Sequence, residues 1–232
     1  MNIVITGASR GLGKSIAEIF ASEGHSLFLS SLREKTLAQT AKEISTKYPS
    51  AKIFFKPTDF SKKEQIKMFA DWCLTQGTPD IIVNNVGSFE PGSVHAEAEG
   101  VLENMLTVNL MSAYHLTRAL LPSMMKRKSG HIFNMCSISS LKAYHNGGAY
   151  SISKFALYGL SKNLREEMKP FNIKVTSVLP GAALTDSWIE SGVAPDRIME
   201  ADDISKMVFA ASKLSPQACV EEIIMRPQLG DL

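Results

Sequence analysis

At 232 residues, with 44% hydrophobic and 21% charged residues, the chain has the composition of a soluble globular protein that buries a sizeable core. Its formal net charge of +2 is too small to mark a nucleic-acid-binding or anionic-membrane-binding protein. Cys73, Cys136 and Cys219 lie far apart, forming neither a CxxC metal pair nor a disulfide framework, so a reducing interior, the cytoplasm, is the expected setting.

Met1 leads directly into an apolar run, Asn2–Thr6, which predicts a first strand and no cleavable leader. TGASRGLG (Thr6–Gly13) follows, with Gly7, Gly11 and Gly13 at the turn into a predicted helix, Leu12–Ser22. A helix N-terminus offers unpaired N–H groups and partial positive charge, so a phosphate is the expected guest. The spacing is G-x-x-x-G-x-G, unlike the usual dinucleotide fingerprint, and the missing Gly-Lys-Ser/Thr argues against an NTPase.

Further strands are predicted at Ser26–Ser30, Lys52–Pro57, Asp80–Val83, His131–Cys136, Lys174–Leu179 and Glu222–Arg226. Helical patterns fill Glu34–Lys47, Lys62–Thr75, Val101–Met125 and Tyr150–Met168. Lys126, Arg127 and Lys128 read as the solvated end of a helix, where cations offset the dipole. No apolar stretch approaches membrane-spanning length, and no repeat or linker divides the chain, so residues 1–232 form one domain. Apolar strands separated by helices predict an α/β fold, a Rossmann-type doubly wound parallel sheet of about seven strands. Such a sheet binds ligands outside the carboxyl ends of its strands, and the informative residues follow strands.

In YSISK, Tyr150 and Lys154 are one helical turn apart on one face. An ordinary tyrosine, with a pKa of about 10, is a poor acid–base group at neutral pH. A lysine ammonium about 4 Å away favours the phenolate by roughly 4 kcal/mol at an effective dielectric near 20, enough to make a general acid for a developing alkoxide. Spacing alone leaves Tyr158, four residues beyond Lys154, as an equal partner. Two further residues favour Tyr150: Ser137, a hydroxyl ending the fifth strand, and Asn109, a polar residue within an apolar helical run.

Together these residues resemble the short-chain dehydrogenase/reductase family, and the resemblance spans nearly the whole chain. It is carried by TGASRGLG, Asp59, NNVG (Asn84–Gly87), Asn109, Ser137 with Tyr150 and Lys154, and PGAALT (Pro180–Thr185). The resemblance implies that Tyr150 gives or takes the proton, and that Ser137 orients and polarises the carbonyl. Lys154 would act on Tyr150 and hold the nicotinamide ribose, while Asn109 kinks its helix and holds a proton-relaying water. The cofactor would lie on Gly7, Ser9, Arg10, Gly11, Leu12 and Gly13, with Asp59 and Phe60 bordering the adenine. Asn85, Val86 and Gly87 would back the adenosine ribose, and Pro180, Gly181, Ala183 and Thr185 the carboxamide and phosphate side. Val86 and Ala183 depart from the family's usual residues, and AYHNGGA before Tyr150 lacks the common proline.

The second strand runs into SLRE, placing uncharged Ser31 where an NAD-specific site usually carries a carboxylate. With Arg10 and Arg33 as cationic partners this predicts NADP(H), with NAD(H) as the lesser cofactor; the counter-reading has Glu34 reaching back to the ribose. The expected activity is hydride transfer between NADP(H) and a carbonyl or secondary alcohol, such as a 3-oxoacyl thioester or small ketone, with no metal. The alternatives are an NAD(P)-binding sensor or scaffold, which has no need for all four of Ser137, Tyr150, Lys154 and Asn109, and a kinase or methyltransferase, which the missing P-loop lysine and the Tyr–Lys helix disfavour. Trp188, Ile189 and Val193 either line a small substrate pocket or pack on the core. Leu110, Tyr114, Leu157, Leu160 and Leu164 spread over more than one helix face, which predicts a homodimer or homotetramer.

Overall fold

The computed structural model describes residues 1–185 and 192–232. Its strands are β1 (Asn2–Thr6), β2 (Ser26–Ser30), β3 (Lys52–Phe55), β4 (Ile81–Asn84), β5 (Gly130–Met135), β6 (Ile173–Pro180) and β7 (Glu222–Met225). They pair in parallel in the order β3-β2-β1-β4-β5-β6-β7. Pairing grows outward from β1 through β2 on one side and through β4 on the other, so the topological switch lies between β1 and β4.

The pleat explains why these strands are apolar throughout. Along β1, Ile3 and Ile5 face one core while Val4 faces the other. The first core is closed by α1 (Gly11–Ser22), α2 (Glu34–Lys47) and α7 (Ala201–Ser212), through Ile16, Phe20, Leu37, Ile44, Ile204 and Val208. The second is closed by α3 (Lys63–Gln76), α5 (Ser112–Arg127) and α6 (Gly148–Met168), through Ile66, Phe69, Leu116, Leu120, Leu164 and Met168.

The helix expected over Val101–Met125 is interrupted. It begins as α4 (Val101–Leu106), widens into a π-helical turn at Thr107–Met111, and resumes as α5. Arg127 does more than end that helix in solvent. Its guanidinium lies 3.0 Å from the Asp80 carboxylate and donates to the carbonyls of Thr78 and Pro79, fastening α5 to the approach of β4.

Beneath the site, Asn84 Nδ2 donates to Thr117 Oγ1 (2.9 Å) and Asn134 Oδ1 (2.7 Å), and Asn134 Nδ2 to Ser161 Oγ (2.8 Å). This buried chain ties β4 and β5 to α5 and α6, where an apolar contact would tolerate sliding. Leu157 and Leu164 are buried by their own chain, and Leu160 partly so; the exposed apolar residues of α6 are Ile152 and Phe155. Among the described residues, no helix is long and apolar enough to cross a membrane.

Candidate active site

The glycine turn is knotted to the switch point. Thr6 Oγ1 accepts the N–H groups of Asn85 (3.0 Å) and Val86 (3.1 Å), while Asn85 Nδ2 donates to the carbonyls of Thr6 (3.0 Å) and Gly7 (3.2 Å). Gly7 has φ +65°, which a side chain rarely adopts. Gly13 serves another purpose: a Cβ there would stand 2.3 Å from the Gly7 carbonyl oxygen, so only glycine lets α1 come this close to β1. Gly11 packs against the Thr185 side chain, which brings PGAALT onto the glycine loop. Ser9 is held from α2, its carbonyl accepting the Thr40 hydroxyl (2.8 Å). Leu12 packs on the first core. Arg10, exposed at the N-cap, makes no side-chain cap to the first turn of α1.

At the carboxyl end of β2, Ser31 is buried and its Oγ has no hydrogen-bond partner among the described residues. Leaving such a hydroxyl unpaired costs about 1–3 kcal/mol, so a ligand that supplies the partner is favoured. Arg33 is exposed beside it as the N-cap of α2, and Glu34 occupies the first turn of that helix. An uncapped helix N-terminus, glycines without room for a Cβ and an unmet hydroxyl together fit a dinucleotide phosphate and ribose.

Asp59 and Phe60 sit differently from one another at the end of β3. The Asp59 carboxylate accepts the N–H (2.9 Å) and hydroxyl (2.7 Å) of Ser61, which hold its pKa below the usual value. The Phe60 ring is buried edge-on against Phe69, with centroids 5.8 Å apart, so its side chain serves the core. Val86 is likewise half-packed on the second core, whereas Gly87 is open and its missing Cβ faces Asn109 Oδ1 and Lys154 Nζ.

Ser137 leaves β5 in extended geometry and caps the following 3-10 turn, its Oγ accepting the Ser139 N–H (3.1 Å). That bond uses a lone pair and leaves the hydroxyl hydrogen to be donated. Lys154 is buried on α6, its ammonium donating to the Met135 carbonyl (2.8 Å) and lying 5.7 Å from the Tyr150 ring centroid. Asn109, fully buried in the π turn, accepts from the Ser88 N–H (2.7 Å) and donates to the Ser88 carbonyl (3.0 Å) and Ser153 Oγ (2.9 Å). Ser153 in turn donates to the Tyr150 carbonyl (2.7 Å). Asn109, Gly87, Tyr150 and Lys154 are thereby brought together.

The two tyrosines separate cleanly. Tyr158 donates its hydroxyl to the Glu222 carboxylate (2.6 Å), and burial together with that bond raises its pKa. The Tyr150 hydroxyl makes no hydrogen bond among the described residues. Cys136 lies next to Ser137, yet burial pushes its thiol up to about 11, which suits a core residue and not a nucleophile.

On the far wall, Gly181 donates its N–H to the Met225 carbonyl (2.8 Å), continuing from Pro180 at the end of β6. Ala183 is buried and bridged in parallel to Met199. Val193 is half-buried, while Trp188 and Ile189 lie outside the described residues. Sequence reasoning did not single out Ser88, Phe89, Glu97 or Ser153. Glu97 accepts the Ala149 N–H (2.8 Å) at the start of α6, and Phe89 stacks edge-to-face on Tyr150. Only Ser153 carried a signal, since it stands inside YSISK.

Known proteins agree with this architecture. The short chain dehydrogenase family model matches residues 1–194. An uncharacterized oxidoreductase of Staphylococcus saprophyticus is 30% identical over 225 residues, covering 97% of this chain and 96% of the relative. An alcohol dehydrogenase from the archaeon Thermococcus sibiricus, complexed with 5-hydroxy-NADP, is 27% identical with a TM-score of 0.90, covering 98% of this chain and 96% of that one. A metagenomic short-chain oxidoreductase in complex with NADP is 29% identical with a TM-score of 0.86, covering 98% and 97%. The sheet order and the match over most of the length decide the family: this chain is an oxidoreductase of the short chain dehydrogenase family.

Proposed function

We propose that the protein interconverts a small ketone, aldehyde or 3-oxoacyl thioester with its alcohol, using NADP(H). The observation that carries this reading is the pair of uncommitted hydroxyl hydrogens on Ser137 and Tyr150, beside the buried ammonium of Lys154. When bound, the nicotinamide supplies or accepts the hydride at the carbonyl carbon. Ser137 donates a hydrogen bond to the carbonyl oxygen, a contribution of about 2.7–4 kcal/mol where single oxyanion donors have been removed from other enzymes. Tyr150 delivers its proton to the same oxygen, and the Lys154 charge stabilises the negative charge left behind. Asn109 keeps the tyrosine-bearing turn and the Ser88 segment in register.

The preference for NADP(H) is supported by uncharged Ser31 with its unmet hydroxyl, by Arg33 beside it, and by Arg10 at the N-cap of α1. Arginine suits a phosphate because its fork matches the oxygen geometry. Both structural relatives above carry an NADP form, which points the same way. Exposed Ile152 and Phe155 on α6 favour a homodimer or homotetramer, and three unpaired cysteines favour the cytoplasm.

A panel of aldehydes and ketones, followed by NADPH and NADH absorbance, tests the reading. Wild type should reduce at least one compound with higher kcat/KM for NADPH, and Arg10→Ala should lower the NADPH:NADH ratio. A wild-type preference for NADH, or an unchanged ratio in the variant, overturns the cofactor assignment.

A further inference from the structure

Phe89 is placed where folding gives no reason for a large aromatic. It is 57% exposed and belongs to none of the buried apolar clusters of the described residues. Its ring nevertheless has a defined position, 4.9 Å from the Tyr150 ring by centroids and tilted 84° to it. That is the edge-to-face geometry aromatic pairs favour, and it leaves much of the Phe89 ring uncovered.

The backbone beneath it is held just as firmly. Asn109 grips both the N–H and the carbonyl of Ser88, the residue before Phe89. The same amide group bonds Ser153, which bonds the Tyr150 carbonyl. One buried side chain therefore fixes the bases from which both rings project. A carbonyl oxygen that meets the Tyr150 hydroxyl, at about 2.7 Å for such a bond, belongs to a molecule bound beside a tyrosine ring whose centroid is 4.9 Å from that of Phe89.

We propose that Phe89 is the specificity-determining wall of the substrate site, and that the protein selects carbonyl compounds bearing an aromatic or similarly flat apolar group next to the carbonyl. This rests on the carbonyl-reducing function proposed above. A flat group gains contact with the open ring, while a short alkyl chain covers little of it. Phe89 touches substrate in this assignment but moves no proton.

The test compares benzaldehyde with butanal as substrates for NADPH-dependent reduction by wild type, Phe89→Ala and Phe89→Tyr. Wild type should favour benzaldehyde in kcat/KM. Phe89→Ala should lower the benzaldehyde:butanal ratio about tenfold, chiefly through KM, and Phe89→Tyr, which keeps the flat ring, should restore it. In parallel, calorimetry measures benzyl alcohol binding to the NADPH complex, a pair with no hydride acceptor and so no reaction; its Kd should rise about tenfold in Phe89→Ala. Equal losses with both aldehydes, or benzyl alcohol binding that ignores the substitution, overturn the wall. Calorimetry needs no turnover, so ring-dependent binding in a protein that reduces nothing would overturn the proposed reaction and leave the wall standing. Absence of aromatic preference from both assays in wild type overturns the wall even if other carbonyls are reduced.

Discussion

Replacing the two tyrosines one at a time with phenylalanine should produce opposite defects, and the structure sets the size of each. The Tyr150 hydroxyl makes no hydrogen bond among the described residues, so Tyr150→Phe should change stability by less than about 0.5 kcal/mol. In the proposed reaction its loss removes the proton donor, an effect of about 10²–10⁴ in kcat for general acids. Tyr158 is the reverse case. Its hydroxyl donates to Glu222 at 2.6 Å, a bond to a charged group of the kind that contributes about 1.5–3 kcal/mol when buried. The Glu222 side chain is 30% exposed and keeps its pairing with Lys162, so we take about 1 kcal/mol for Tyr158→Phe. For a domain of this size that corresponds to a fall of about 2–4 °C in Tm. Thermal melts, NADPH titration by fluorescence and steady-state reduction of the best carbonyl on each variant read all three quantities. Near wild-type turnover in Tyr150→Phe, or an inactive but fully stable Tyr158→Phe, would refute the reasoning.

Gly13→Ala forces a Cβ to within 2.3 Å of the Gly7 carbonyl oxygen and 2.6 Å of Asn85 Nδ2. Overpacking of this kind costs about 1–3 kcal/mol, and moving α1 away should raise the NADPH Kd about tenfold; unchanged affinity with an unchanged urea midpoint would show that the close approach is not needed. Acid should also weaken the fold through His131. This residue is buried, and desolvation together with Lys174 lowers its pKa to about 3. Thr176 gives its hydroxyl hydrogen to the Val220 carbonyl (2.5 Å), so it accepts from His131 Nε2 (2.7 Å), which must then carry a hydrogen. The folded protein keeps this imidazole neutral while the unfolded chain protonates it below about pH 6.5. Its contribution is therefore complete above that pH and is lost as pH falls, by about 2 kcal/mol between pH 6.5 and 5. Urea unfolding at pH 7 and pH 5 should show a smaller pH dependence in His131→Gln than in wild type, and equal dependence would exclude His131 as the cause.

Much of the sheet was legible because a strand covered on both faces must be apolar at every pleat, and that requirement is local. Asn2–Thr6 and Ser26–Ser30 match the observed strands residue for residue, and the others shift by one or two positions at their frayed ends. TGASRGLG was legible for a similar reason: Gly7 and Gly11 adopt positive φ within a few residues of a strand end. Gly13 shows where that reasoning stops, since its φ is ordinary and its need for glycine comes from the Gly7 carbonyl across the turn.

Partners brought from a distance were decided by tertiary structure alone. Tyr150 and Tyr158 are equivalent around Lys154 along the helix, and what separates them is Glu222, delivered by β7 from 64 residues away. Asn109 was visible as a polar intruder in an apolar run, but its grip on Ser88 and Ser153 depends on how the π turn packs against two other segments. The Phe60 ring is buried because Phe69, delivered by α3, offers an edge for it to pack against. Leu157 and Leu164, expected to help form a subunit contact, are covered by their own sheet. Backbone preference and pleat parity act over one turn or one pleat and can be read along the chain. The identity of a buried partner depends on which distant elements the packing of two cores brings together, and no local pattern encodes that.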